Sequence, residues 1–347
     1  MHMADALISP AVGGVMWAAA AGTAAYSIKR LQSSMDEKKI PMMGVMGAFI
    51  FAAQMINFAI PGTGSSGHIG GGMLLAILLG PYAGFLTMAS ILLIQALLFA
   101  DGGLLAFGCN LINMGLFTCF VAYPFIYKQI TKKGLTPKRI FAATFISVVI
   151  GLQLGAFSVV LETLLSGRTE LPFGTFVLFI QPIHLAIGAL EGVIMSAIVS
   201  FLWKARPEIL ENSSAGNTPA SIPLRKIVIG FAVAAVVIGG FLSWFAAKNP
   251  DGLEWSIGKI TGSVELNSQS SIHEDLDKVQ NKTALLPDYS IKAPDSEGEG
   301  GKSGEVTSKI GTSISGLIGG AVTLVLAVLL GFAAMLFRKN RRKRKAV

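Results

Sequence analysis

The sequence predicts an all-α protein that crosses a membrane several times. Hydrophobic residues make up 52% of its 347 residues and charged residues only 14%, and the mean hydropathy of +0.63 is far above that of a soluble domain. Its apolar runs repeatedly reach about 20 residues, the length of a helix that spans a bilayer. The fold class is therefore a polytopic helical bundle.

Nine membrane crossings are predicted, seven in a first module and two in a second. Segments rich in Lys and Arg alternate along the chain with glycine-rich or polar connections, as expected when successive loops lie on opposite sides of a membrane. The predicted spans are approximately residues 9–28, 41–60, 72–79, 82–99, 104–126, 140–165, 173–203, 227–246 and 310–337.

The net charge of +8 does not indicate a nucleic-acid partner, because the basic residues lie between apolar runs, where they act as topology signals. With the amino terminus outside, 20 of the 28 Lys and Arg residues fall in cytoplasmic segments. The start carries Asp5, and the pair Lys29-Arg30 follows the first apolar run, which is not the charge order of a signal peptide. We therefore expect a multi-pass protein of the cell membrane with a cytoplasmic carboxyl terminus.

Residues 207–223 are rich in Ser, Ala, Asn and Pro and show no apolar periodicity, so they are predicted to form a cytoplasmic linker. The linker divides a first module, residues 1–206, from a second module, residues 224–347. The second module consists of the last two spans and a polar outer loop of about residues 248–309.

The first residues of the chain and the glycine-rich loop around His68 contain potential metal ligands. A free amino group on Met1, the next backbone nitrogen and the His2 imidazole can form fused chelate rings, and His68 can add a fourth nitrogen. Four nitrogens in a plane suit Ni(II). The alternative is a solvated His2 and a His68 that only hydrogen-bonds within a turn.

A resemblance to a known family gives this site a context. The first module resembles the nickel/cobalt capture subunits, or S components, of energy-coupling-factor transporters over about residues 1–205. The resemblance implies a seven-helix bundle that captures nickel, or less readily cobalt, through Met1, His2 and His68, without enzymatic activity. The residues that carry it are Met1-His2-Met3-Ala4-Asp5-Ala6-Leu7-Ile8-Ser9-Pro10, Gln54-Met55-Ile56-Asn57-Phe58, Ser66-Gly67-His68, Leu79-Gly80-Pro81-Tyr82-Ala83-Gly84 and Phe99-Ala100-Asp101-Gly102-Gly103-Leu104-Leu105-Ala106.

The resemblance also implies partners in the membrane and the cytoplasm. These are a transmembrane coupling protein, the T component, and ATPase subunits that use ATP, so the chain itself needs no cofactor beyond its bound metal. The stretch Gly300-Gly301-Lys302-Ser303 is not a phosphate loop, because Ser296 stands where that pattern requires glycine.

The first span carries small residues four positions apart, at Ala18 and Gly22 and at Ala21 and Ala25. Small side chains allow two helices to approach closely in lipid. This face is predicted to contact the coupling protein, and the alternative is packing against the chain's own helices.

A metal-binding imidazole needs an acceptor that orients its other ring nitrogen. Four polar residues lie near enough in sequence to serve His68: Asn57, Gln54, Ser65 and Ser66. Asn57 is preferred, because it belongs to the matching motif.

The head of the outer loop, Asn249-Pro250-Asp251-Gly252-Leu253-Glu254-Trp255, resembles the Pro-Asp-Gly-Leu-Glu (PDGLE) module. This module accompanies the capture subunit either as a separate small protein or fused to it, and the resemblance covers about residues 224–347. Farther along, His273 lies among acidic residues in a polar segment that is predicted to be mobile, where it could bind metal weakly.

His184 and Glu191 lie seven residues apart on the seventh span, hence on nearly one helix face. Ionisable groups at bilayer depth suggest function, but a buried hydrogen-bonded pair that orients helices is favoured here. Cys109 and Cys119 fall on different sides of one helix and predict neither a disulfide nor a metal pair.

Other functions remain open at this stage. Cobalt transport for cobalamin synthesis, or a membrane metal sensor or channel without ATPase partners, would use the same ligands. A membrane metalloprotease is disfavoured, because the spans contain no His-Glu-x-x-His pattern.

Overall fold

The computed structural model describes residues 2–34, 39–208, 210, 225–264, 266, 270–291 and 302–345. This part of the chain is mostly helical, with a single two-stranded sheet among the described residues. Six of the described helices are long and apolar enough to cross a membrane, which confirms the predicted polytopic all-α class. The number of crossings, nine, stays a prediction.

The described part of the first module contains seven α-helical segments. Several of them begin with proline, which costs no hydrogen bond at the first helical position. The fifth changes to wider π-type hydrogen bonding between Ile112 and Tyr127, and it contains Cys109 and Cys119, both buried and unpaired as predicted. The helices are α1 (Pro10–Ser34), α2 (Ile40–Gln54), α3 (Gly72–Leu79), α4 (Pro81–Phe99), α5 (Phe107–Thr131), α6 (Pro137–Leu165) and α7 (Phe173–Ala205).

The second predicted span, residues 41–60, is wrong at its far end. The α2 helix stops at Gln54, and a β-hairpin follows in which β1 (Phe58–Ile60) pairs antiparallel with β2 (Ser65–Gly67). Two glycines in the turn, Gly62 and Gly64, have φ near +76° and +78°, a left-handed conformation that glycine adopts without strain. The apolar run therefore turns back before it reaches its predicted length and delivers His68 directly after β2.

The centre of the bundle is formed by α2, α3 and α4. Every residue of α3 and nearly every residue of α2 is buried, as expected for helices that are apolar on all sides. By contrast, α1 lies at the periphery and turns the four predicted docking residues outward. Ala20 on the same helix is only 1% exposed and faces the bundle.

The second module adds helices to the bundle and a cap on one end. Its two long helices flank α2, with Phe231 against Phe49 at a ring-centroid distance of 4.9 Å and Val328 against Gly44. The predicted polar loop contains two helices, so it is not structureless in its described part, and most of the predicted linker 207–223 lies outside the described residues. The helices are α8 (Arg225–Gly240), α9 (Gly252–Thr261), α10 (Ser271–Thr283) and α11 (Lys302–Lys345).

Candidate metal site

His2 and His68 come together at the end of the bundle. Their rings stack with centroids 5.2 Å apart and an angle of 14° between the ring planes, and the His2 side chain is only 8% exposed. Met1 lies outside the described residues. Among the residues that the structure describes, no cluster of three or more His, Cys, Asp and Glu side chains could hold a metal ion.

The orientation of His68 is fixed by the backbone of its own loop. Its Nδ1 donates to the carbonyl oxygen of Ile69 at 3.1 Å, which makes Nε2 the nitrogen with the lone pair for a metal. The acceptor that the structure shows for Nδ1 is a backbone carbonyl, whereas the sequence predicted a side chain. The neighbouring carbonyl in a tight loop reaches Nδ1 without ordering any further side chain.

Three of the four predicted supports of His68, namely Gln54, Ser65 and Ser66, have side-chain hydrogen bonds to other groups. Gln54 donates to the Gly70 carbonyl at 2.9 Å and accepts from Gln95 at 2.9 Å, so it holds the loop rather than the ring. Asn57 lines the adjoining cavity. The two serines of β2 bind the second module, through Ser65 Oγ to Pro250 O (3.4 Å) and Ser66 Oγ to Asn249 O (2.7 Å).

His2 presents its two ring nitrogens differently. Nδ1 lies 3.2 Å from an oxygen of Asp101, while Nε2 is buried and has no hydrogen-bond partner within the described part of the chain. A chelate ring closed through the His2 backbone nitrogen requires Nδ1, the ring nitrogen nearer the main chain. Metal binding through this chelate would therefore replace the contact between His2 and Asp101.

Burial keeps both imidazoles neutral. It lowers the pKa of His68 to about 3, and it also lowers the pKa of His2, although the nearby Asp101 carboxylate opposes this shift. Only a neutral imidazole offers a lone pair to a metal. Both rings are thus in the ligand form at neutral pH.

The segment after His2 is clamped by an asparagine that sequence reasoning missed. The Met3 N–H donates to Asn110 Oδ1 at 2.7 Å, and Asn110 Nδ2 donates to the Met3 carbonyl at 3.1 Å. The Gly103 N–H donates a second hydrogen bond to that carbonyl at 2.9 Å. The available signal was a polar amide inside an apolar run, since such groups in membrane spans seldom lack a role.

A second missed contact comes from Glu191 on α7. Its two carboxylate oxygens accept the N–H groups of Gly70 and Gly71, each at 2.9 Å. The expected pairing of Glu191 with His184 is wrong, because His184 Nδ1 donates to the Ile180 carbonyl one turn earlier on the same helix. Two glycines with accessible N–H groups after His68 were the sequence signal for this contact.

The PDGLE segment docks on the hairpin that carries His68. Asp251 caps α9 by accepting from the N–H groups of Leu253 and Glu254, which explains why the helix starts there. Just before this cap, the Pro250 carbonyl accepts from the Ser66 N–H at 2.8 Å. Trp255 Nε1 donates to the Thr63 carbonyl at 2.9 Å.

Another part of the second module covers the loop that carries Asp101. The Tyr289 hydroxyl donates to Asp101 Oδ2, and Gln280 Nε2 donates to the Gly102 carbonyl at 2.8 Å. His273 is 1% exposed on α10 and donates through Nε2 to the Ile8 carbonyl at 2.9 Å. The prediction that His273 lies in a mobile polar segment is wrong, because α10 packs this ring against the amino-terminal segment.

A cavity of about 1400 Å³ lies between the two modules and reaches both histidines. Carboxylates outnumber lysines on its wall, and a cleft of one charge sign raises the local concentration of the opposite ion. The geometry therefore suits the approach of a cation. The charged residues on the wall are Asp5, Asp101, Asp251, Glu254, Asp277, Asp288, Lys248 and Lys309.

Comparison with known families finds two matching regions in the chain. Residues 2–209 match the family model described as the cobalt uptake substrate-specific transmembrane region. Residues 225–336 match the PDGLE domain. These matches confirm the resemblance drawn from the sequence motifs.

Individual relatives carry related names. A putative fused nickel transport protein of Archaeoglobus fulgidus is 33% identical over 96% of this chain and 97% of its own length. The fused nickel transport protein of Rhodobacter capsulatus is 29% identical over 76% of this chain and 78% of its own, and a cobalt transport protein of Geobacter sulfurreducens is 26% identical over 69% and 72%.

A solved structure shares the fold of the first module. The crystal structure of a truncated transition-metal transporter is 30% identical to this chain, with a TM-score of 0.53 over 59% of this chain and 99% of that one. Since the transmembrane-region model alone matches more than half of the sequence, the protein belongs to the family of cobalt-uptake substrate-specific transmembrane proteins, which are transporter components and not enzymes, and it carries a PDGLE domain after that region.

Proposed function

We propose that this chain is the substrate-capturing component of an ATP-driven energy-coupling-factor transporter for Ni(II). The metal is bound by the Met1 amino group, the His2 backbone nitrogen, His2 Nδ1 and His68 Nε2. The single observation that carries the proposal is the stacking of His2 and His68, two buried neutral imidazoles, on the wall of an acidic cavity.

Nickel is the preferred substrate and cobalt the second. Four nitrogen donors that include a backbone nitrogen favour a square-planar arrangement, which Ni(II) accepts readily. The relatives from Archaeoglobus and Rhodobacter are named as fused nickel transport proteins. The name of the matched region points to cobalt, so both metals belong in every binding assay.

The proposed orientation places the metal cavity outside the cell and the carboxyl terminus in the cytoplasm. It follows from the Lys and Arg distribution. ATP is hydrolysed by separate subunits, and a transmembrane coupling protein joins them to this chain. The docking surface is the outward face of α1, where Ala18, Ala21, Gly22 and Ala25 are all exposed and small enough for close helix contact.

The PDGLE module helps to load the site. Its contacts to the hairpin of His68 and to Asp101, which faces His2, support this role. Through them it reaches the surroundings of both proposed imidazole ligands.

The experiment is nickel binding by purified protein in three forms. A carboxyl-terminal tag should leave tight binding intact, whereas one or two extra residues before Met1 should abolish it, because they convert the amine to an amide and move His2 out of chelating position. His68→Ala should also lose most of its affinity. Equal affinity of the extended and the carboxyl-terminally tagged proteins would refute the chelate.

A further inference from the structure

The loop after His68 is held by a carboxylate from a different part of the fold. Glu191 is 3% exposed in the middle of α7, and both of its oxygens accept backbone N–H groups of that loop, from Gly70 and Gly71. One side chain thus accepts hydrogen bonds from two successive N–H groups of the loop, each at 2.9 Å. A hydrogen bond buried away from water is stronger than one exposed to it.

This contact sits a short way along the chain from the metal ligand. Gly71 has φ of +75°, so the loop turns sharply, in a left-handed backbone conformation, at the residue that Glu191 contacts. On the opposite side, Gln54 donates to the Gly70 carbonyl. Gly70 is thus held through both its N–H group and its carbonyl. It directly follows Ile69, whose carbonyl orients the His68 ring.

The helix that carries Glu191 also abuts the hairpin before His68. Ile187, one turn earlier, lies so close to Gly67 that a Cβ built there would be 2.6 Å from its Cγ1. The same side chain leaves only 2.9 Å for a Cβ on Gly252 at the start of α9. One face of α7 therefore contacts the chain just before and just after His68, and it also contacts the PDGLE segment.

We propose that Glu191 is a positioning residue that fixes His68 Nε2 in the plane required by Ni(II) and thereby favours nickel over cobalt. The inference rests on the proposed function, since it needs His68 as a ligand. A square-planar ion tolerates little displacement of a donor from the plane, whereas Co(II) accepts more varied geometries. Holding the His68 loop from both sides should therefore raise the affinity for nickel more than the affinity for cobalt.

The test is Glu191→Gln, which keeps the size of the side chain but leaves one acceptor oxygen for two N–H groups. Loss of an outer partner of a metal ligand costs about 10–100-fold in metal affinity, so nickel affinity should fall by about that factor and cobalt affinity by less. Glu191→Asp retains both oxygens and should recover part of the nickel affinity. The nickel absorption spectrum should also change in Glu191→Gln, because His68 leaves the plane.

The matched control is Glu162→Gln on α6. Glu162 is likewise a 3% exposed carboxylate inside the bundle, and it hydrogen-bonds Asn113 and Ser158 rather than the His68 loop. Nickel affinity in this variant should stay near the wild-type value.

Three outcomes separate the possibilities. If Glu191→Gln folds normally and binds nickel as wild type does while His68→Ala loses binding, the positioning role is refuted and the proposed function stands. If both metals lose affinity equally and the melting temperature falls, Glu191 is structural only, which also refutes the inference. If His68→Ala itself binds normally, the proposed function fails.

Discussion

The clamp on Met3 offers a sharp quantitative prediction, through Asn110→Ala. The amide of Asn110 makes two hydrogen bonds to the Met3 backbone, at 2.7 and 3.1 Å, inside a bundle where Met3 is fully buried. By fixing Met3, the amide also fixes the preceding residues that close the proposed chelate. The variant should therefore weaken metal binding without touching a ligand.

The magnitude follows from the two lost bonds. Each contributes about 1 kcal/mol net, so the ordered amino-terminal segment should lose about 2 kcal/mol relative to a displaced one. Since 1.4 kcal/mol is about tenfold in a dissociation constant, nickel should bind about 30-fold more weakly. Because the buried Met3 side chain still anchors the segment, part of the nickel affinity should remain.

Isothermal titration of nickel into purified protein measures this effect. Gln153→Ala is the matched control, because it removes a side-chain amide that donates to the Gln181 carbonyl at 3.0 Å between α6 and α7, away from Met3. The two variants should melt at similar temperatures, and only Asn110→Ala should lose affinity. Binding by Asn110→Ala within twofold of wild type would show that the clamp does not prepare the site.

Two further predictions concern protons and partners. Burial lowers the pKa of His68 to about 3, so its imidazole carries no proton at pH 5.5, and burial also lowers the pKa of His2. Nickel binding at this pH should then release at most about three protons, one from the amine, one from the backbone amide and no more than one from His2, whereas two exposed imidazoles with pKa about 6.5 would raise the count toward four. Titrations at pH 5.5 in buffers of different ionisation enthalpy give this count, and a value near four would contradict the burial of the rings. Ala21→Leu with Ala25→Leu should weaken copurification with the coupling protein and leave nickel affinity unchanged; joint loss of both would indicate an internal packing role for this face.

The sequence predicted the features that depend on local pattern. Long apolar runs identify most of the helices, because length and composition alone decide whether a helix can span the bilayer. The ligand motif placed His2 and His68 together, and the structure brings their rings into contact. The hairpin after Gln54 escaped prediction, since an apolar run of that composition suits strand and helix alike.

The supporting contacts of the site were not predictable in the same way. Asn110 reaches Met3 across 107 residues, and Glu191 reaches Gly70 across 121. Helix periodicity indicates that a polar residue faces inward but does not indicate which loop it meets. The acceptor for His68 was missed for the opposite reason, because the adjacent Ile69 carbonyl leaves no signature in side-chain types.

The central claim is that four nitrogens, from Met1, His2 and His68, bind nickel in one plane. X-ray absorption of the nickel-loaded chain, recorded with its optical spectrum, tests this claim most directly. A yellow, diamagnetic form with four nitrogen neighbours and no further ligand is the predicted result. A paramagnetic six-coordinate nickel with oxygen neighbours, or any sulfur ligand, would contradict it.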